Sequence, residues 1–170
     1  MNMWKGIAVS LIAVVSLAGC GSSGNEASGV NEALAEYAQA QGEFGQTEPN
    51  ANESTVNQAW LDEKAALLAT MRASFDRLRT QAESVNFPDQ AGAPGEPSQA
   101  TVDEYLAATE DYIVANEVQQ MQVQSCVDAG GPPFDCVMQV GVEAMIGVYP
   151  DVLKRAQAAA LELQSESSRG

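Results

Sequence analysis

Residues 61–85 read LDEKAALLATMRASFDRLRTQAESV, and the spacing of their apolar members decides the fold. Leu61, Leu68, Phe75 and Ala82 recur every seven residues, with Met71, Leu78 and Val85 between them; Lys64 is the one departure in the series. This is the narrow seam of a helix packed lengthwise on another helix. Ser54 is a good N-cap residue, so the helix is expected over residues 54–85. Pro88, Pro94 and Pro97, with Gly92 and Gly95, make residues 86–99 a connection, because a helix cannot persist through three prolines.

Outward from this element, a second long helix is expected to open at Thr101, where Thr101 and Glu104 have the spacing of a capping box. Leu106, Thr109, Ile113, Asn116, Gln120, Val123 and Val127 continue its seam. The polar members Asn116 and Gln120 read as register-setting or rim residues, since polar seam positions specify alignment at some cost in stability. A third helical region starts near Asp135 as N-cap and carries Val137, Val140, Ala144, Met145 and Val148, with Pro150 expected to interrupt or kink it. Val30, Leu34, Tyr37 and Ala38 predict a short amino-terminal helix over residues 30–41, followed by a loop over 42–52 containing Gly42, Gly45 and Pro49. Residues 165–170 are expected to fray. The expected fold is therefore all-α, an antiparallel helical bundle of two long helices, a kinked third helical region and a short amino-terminal helix.

The chain has 170 residues, 23 acidic against 8 basic, a net charge of −15 and no histidine. The absence of histidine removes Ser-His-Asp and Cys-His catalysis, His-containing zinc sites and His-ligated haem, each of which needs an imidazole. The charge opposes binding of nucleic acid, whose affinity for proteins comes from Lys and Arg displacing counterions. No metal, cofactor or catalytic residue is assigned. Asp103, Glu104, Glu110 and Asp111 form an acidic stripe on one helix without the loop of an EF-hand, and a solvated helix face accounts for it. Trp60, Tyr105 and Tyr112 suit a core or a groove edge.

Charge placement supplies a register. Arg72 and Arg79 fall at e positions of the first seam, and Glu110 and Glu117 at e positions of the second. An antiparallel hairpin brings e against e, which pairs Arg79 with Glu110 and Arg72 with Glu117.

Residues 1–19 read as an export signal. Lys5 supplies the positive start, residues 7–15 the apolar stretch, and Leu17-Ala18-Gly19 a small-residue cleavage site before Cys20. The apolar stretch is too short for a spanning helix. Leu17-Ala18-Gly19-Cys20 resembles the lipobox of bacterial lipoproteins. That resemblance implies cleavage before Cys20, thioether lipidation of its sulfur and acylation of the new amino terminus, so that acyl chains hold the protein on a membrane. Gly21 in place of the aspartate that retains such proteins in the inner membrane points to the outer membrane in a host with two membranes, and otherwise to the outer face of the plasma membrane.

Cleavage leaves residues 20–170, with 20–29 as lipidated tether, 30–53 as short helix and acidic loop, 54–165 as the bundle and 166–170 as its tail. Export places Cys126 and Cys136 in an oxidising compartment, where a disulfide is expected; the turn-rich spacer containing Gly130, Gly131, Pro132 and Pro133 lets the flanking helices double back. The functional expectation is a lipid-anchored, non-catalytic adaptor or envelope-assembly component with a protein partner. The alternative is a small-ligand or cation-binding lipoprotein using a cleft between the helices, for which the diagnostic feature is an enclosed pocket of about 300 Å³ or more with converging polar groups.

Overall fold

A computed structural model describes residues 26–47, 52–91 and 97–168. The export signal, Cys20 and the tether up to Asn25 lie outside the described residues. The chain is an all-helical bundle of α1 (Glu26–Gln46), α2 (Gln58–Glu83), α3 (Gln99–Asp128), α4 (Pro133–Ile146) and α5 (Tyr149–Ser167), with a disulfide between Cys126 and Cys136. Successive contacts run antiparallel: Arg77 of α2 meets Glu36 of α1, Glu117 of α3 meets Arg72 of α2, and Ser98 beside α3 meets Glu166 of α5.

Several boundaries differ from the sequence reading, each for a local reason. Helix α1 continues through Gly42 and Gly45 to Gln46 instead of stopping at residue 41. Each helical glycine costs about 1 kcal/mol, but burying Phe44 against α2, where it is 3% exposed, offsets that cost. Helix α2 starts after Asn57, whose side chain accepts from the Trp60 amide at 3.0 Å; Ser54 is taken up in a turn on the Asn52 side chain. Helix α3 is capped by Ser98 and not by Thr101. The Ser98 hydroxyl accepts from the Thr101 amide, and Ser98 is itself fixed by the Glu166 carboxylate, 2.9 Å from its amide nitrogen. That contact also explains why α5 persists to Ser167 where fraying was expected. Helix α4 begins at Pro133 with Pro132 as N-cap, placing Asp135 inside the first turn, because proline's fixed φ suits a first helical position. Pro150 likewise opens α5: the break falls at Gly147 and Val148, and the helices on either side are bent by 68°.

Helix α1 is part of the bundle and not an appendage to it. Its Val30, Ala33, Leu34, Tyr37 and Phe44 join Met71, Phe75 and Leu78 of α2, Tyr105, Ala108 and Ile113 of α3, and Ala156, Ala160 and Leu163 of α5 in one core. Packing is most extensive between α1 and α2 and between α3 and α5; the α2–α3 hairpin joins these two pairs more sparingly. The cause lies in the seams. That of α2 is apolar and takes the large residues of α1, whereas that of α3 is interrupted by Thr109, Asn116 and Gln120. Among the described residues no single helix is long and apolar enough to cross a membrane.

Among the described residues, two buried polar side chains lack a partner. The Tyr37 ring packs edge-on to Phe75 at 5.8 Å between centroids, but its buried hydroxyl has no hydrogen-bond partner, and neither has the amide of Gln41 one turn on. Burial pushes the Tyr37 phenol well above its ordinary pKa, with smaller contributions from Tyr105 and Tyr112. A buried donor left unsatisfied costs about 1–3 kcal/mol. Tyr37→Phe keeps the ring contact and removes that hydroxyl, so chemical denaturation is expected to show stability unchanged or raised by up to about 1 kcal/mol. A loss of 2 kcal/mol or more would show that the hydroxyl is satisfied.

Candidate cleft between α2, α3 and α4

Helix α4 is covalently held but thinly packed. Only Cys136 and Val140 of its fourteen residues are buried, and the smaller core around them contains Leu61 and Val123, with Trp60, Cys126, Val127 and Val137 against it. The bond to Cys126, with the two Cα atoms 5.7 Å apart, fixes the first turn of α4 against the last turn of α3. The turn between them depends on two glycines. Gly130 has φ +95°, in the left-handed region that favours glycine. Gly131 donates its amide to the Cys126 carbonyl, and a Cβ there would lie 2.5 Å from the Cys136 sulfur and 2.9 Å from that of Cys126.

Beyond the disulfide α4 stands off from α2 and α3 and leaves a cleft of about 320 Å³. One wall is Val137, Val140, Gly141, Ala144 and Met145 of α4. The other carries Trp60, Leu61 and Lys64 from the start of α2 and Asn116, Gln120 and Val123 from α3; Phe44 of α1 and Tyr149 of α5 contribute at the sides. The lip is apolar and open to solvent, with Met145 51% and Ile146 82% exposed. A second recess, between α1 and α2, is lined by residues including Glu36, Glu43, Ser74 and Arg77 and is bridged by the Arg77–Glu36 ion pair.

The polar groups of the cleft divide by what already engages them. Gln120 donates to the Leu61 carbonyl at 3.3 Å, tying α3 to α2. Asn116 donates to the Tyr112 carbonyl at 2.7 Å, and its side-chain oxygen accepts from the Tyr149 hydroxyl. Both residues, read as register-setting or rim positions, thus lie on the cleft wall and join neighbouring segments there. Lys64, the departure from the heptad, places its ammonium 5.0 Å from the Phe44 ring centroid and 5.2 Å from that of Trp60. Two aromatic faces accept a cation by their quadrupoles. Lys64 is the only charged residue lining the cleft among the described residues. Trp60 is at a groove edge; Tyr105 is in the core, and Tyr112 lies 6.3 Å from Tyr149.

The paired charges lie away from this cleft. Arg72 forks onto Glu117 with two bonds of 2.9 Å and reaches Glu110 at 2.7 Å, while Arg79 also bonds Glu110 and stacks over Phe75. Both pairings set by the antiparallel register are present, and Glu110 joins them into one network. Of the remaining members of the acidic stripe, Glu104 and Asp111 bind Arg155 of α5, and Asp103 accepts from the Gln99 side chain one turn before it. The Arg155 hydrogen bond lowers the Glu104 carboxyl below its ordinary range. At Glu110, desolvation raises the carboxyl, but the bonds and charges of Arg72 and Arg79 outweigh it and the net shift is downward. Among the described residues no group of three or more Cys, Asp or Glu is placed to hold a metal ion. No family model, curated protein or solved structure matches this chain.

The cleft emerges from the disulfide turn, which makes Gly131→Ala an informative substitution. It is expected to destabilise the folded protein by an amount comparable to losing the cross-link, about 2–3 kcal/mol for so short a loop, measured by thermal unfolding of the oxidised protein. An unchanged midpoint would show that the turn has room to move. A second expectation concerns acid stability. Because the folded-state pKa of Glu110 is depressed, its contribution is full above the unfolded value near 4.3 and is lost as pH falls through the lower folded value. Glu110→Gln should therefore reduce stability at pH 7 by about 1–2 kcal/mol and narrow the difference from wild type on descent below pH 4. A difference independent of pH would remove the carboxylate as its source.

Proposed function

We propose that this protein is a lipid-anchored extracytoplasmic binding protein that takes a small molecule in the cleft between α2, α3 and α4. The observation that carries this reading is the cleft itself. At about 320 Å³ it falls within the size range of small-ligand sites, and it combines a largely apolar lining with a few fixed polar side chains. Lipid attachment rests on the Leu17-Ala18-Gly19-Cys20 segment, and an extracytoplasmic location accords with the Cys126–Cys136 disulfide. The alternative, an adaptor working through an envelope protein, draws support from the exposed apolar lip at Val142, Met145 and Ile146.

Native mass spectrometry on protein extracted from its own membrane tests the proposal, with Ala144→Trp as the variant that fills the cleft. The expected result is a bound small molecule on the wild type that is missing from the variant. Unliganded protein in both samples, with a single protein partner recovered by in-cell crosslinking through Ile146, would replace this reading with the adaptor. Anchoring has its own readout: Cys20→Ala should abolish incorporation of labelled palmitate and release the protein from the membrane fraction.

A further inference from the structure

We infer that this protein pairs side by side with a second copy of itself through the outer face of α3, along the stripe Val114, Val118 and Met121. These side chains are 41%, 41% and 64% exposed. Their spacing, four residues and then three, is that of a heptad seam, and the exposed Ala107 and Ser125 continue the same positions at either end. Asp111 is the one charged member of the series. Helix α3 therefore carries two seams. One turns inward through Ile113 and Val123, and the other is left open by every described element of the chain. A single exposed apolar side chain, such as Leu161 on α5, is ordinary on a protein surface; a seam is the form that receives another helix.

Charge selects the occupant. A cationic partner of a chain with net charge −15 would be met by unpaired carboxylates, and the borders of this stripe do not offer them. On the α2 side Glu110 and Glu117 are bound by Arg72 and Arg79, on the α5 side Asp111 is bound by Arg155, and no residue from Val118 to Val127 is charged. A face neutralised in this way suits a molecule as acidic as this one, which the rest of the surface repels. The direction of pairing rests on the reading of Cys20 as a lipid anchor, because two copies tethered to one membrane run their helices the same way. A parallel two-fold pair sets each seam residue against its own equivalent. It faces Glu110 with Ala115 and Glu117 with Gln122 of the second copy, and leaves Asp111 as the one like-charge meeting, where Arg155 neutralises both sides. Three side chains bury less than the roughly 800 Å² per partner of a standard interface, so the pairing is weak in free solution. Confinement to one membrane supplies the local concentration that it needs.

Cysteine crosslinking in the membranes of the host tests the pairing on the full chain. Cys126 and Cys136 are bonded to each other, so an introduced thiol on α3 reports on a second copy. Val114→Cys, Val118→Cys and Met121→Cys would be oxidised separately with copper phenanthroline, beside Leu161→Cys as the exposed apolar control. Each α3 variant is expected to give a covalent dimer at a yield about tenfold or more above the control. Adding Val118→Glu to Met121→Cys should reduce the dimer about tenfold, because two carboxylates then meet across the seam. The Val118 side chain faces solvent in a single copy, so an unchanged thermal midpoint for Val118→Glu separates loss of pairing from loss of fold. Yields no higher than the control at all three positions would overturn the inference, as would a Val118→Cys crosslink to a different protein in place of the dimer. A dimer from Val114→Cys and Met121→Cys proteins expressed together, with none from either alone, would overturn the parallel direction. Cys20→Ala should lower the Val118→Cys dimer about tenfold as the protein leaves the membrane. If Cys20→Ala stays in the membrane fraction, the anchoring reading fails by itself, and the three α3 positions still decide whether the copies pair.

Discussion

The covalent link between Cys126 and Cys136 is the constraint from which the cleft end of the molecule follows. A fourteen-residue helix that buries two side chains has too little apolar contact to hold a fixed place by packing alone, since full burial of one aliphatic side chain contributes only about 1.5–3 kcal/mol. Helix α4 is nevertheless held against the end of α3, because the disulfide pins its first turn there. Pinning one end and packing little of the rest leaves space beneath the helix. The cleft is thus a consequence of underpacking that the cross-link makes tolerable, and Gly131 is the residue whose lack of a side chain lets the cross-link close.

The other end of the bundle is organised by a different economy. The described helices contain four arginines, and each joins its helix to a neighbour: Arg72 and Arg79 join α2 to α3, Arg77 joins α2 to α1 through Glu36, and Arg155 joins α5 to α3. In a chain with so many carboxylates, unpaired acidic helix faces would repel one another. Arginine suits the task because its planar fork binds a carboxylate in two places, as Arg72 does at Glu117. Individually these partly exposed pairs are weak. Collectively they fix which helix neighbours which, while the apolar core from Tyr37 to Leu163 supplies the driving force.

This division explains what could be read from residues alone. The heptads of α2 and α3 and the positions of Arg72, Arg79, Glu110 and Glu117 are periodic, and periodicity translates directly into a face and a register. Helix ends were less legible because Ser54, Thr101 and Asp135 all have capping chemistry. The choice among candidates was made by tertiary or turn contacts, such as Glu166 on Ser98 and Asn52 on Ser54. The cleft was hidden for a related reason, since a spacing pattern states which residues face inward but not how closely two helices approach. Two signals pointed to it. Lys64 breaks an otherwise apolar seam, and α4 carries Val137, Val140, Val142, Met145 and Ile146 around most of its circumference although it has few neighbours to cover them.

On the lipid-anchored reading, the geometry also bears on where a ligand would sit. Five residues lie between Cys20 and Glu26, so the six steps along the chain span at most about 20 Å and the start of α1 would stay near the membrane. The start of α1 lies at the same end as Gln81, and Phe44 at the end of α1 lies with Lys64 on the cleft. From Val30 to Phe44 the helix rises about 20 Å, which places the cleft at the end of the bundle away from the start of α1. A ligand held in the cleft would then sit at the far end of the bundle from the start of α1, beside the exposed Met145 and Ile146.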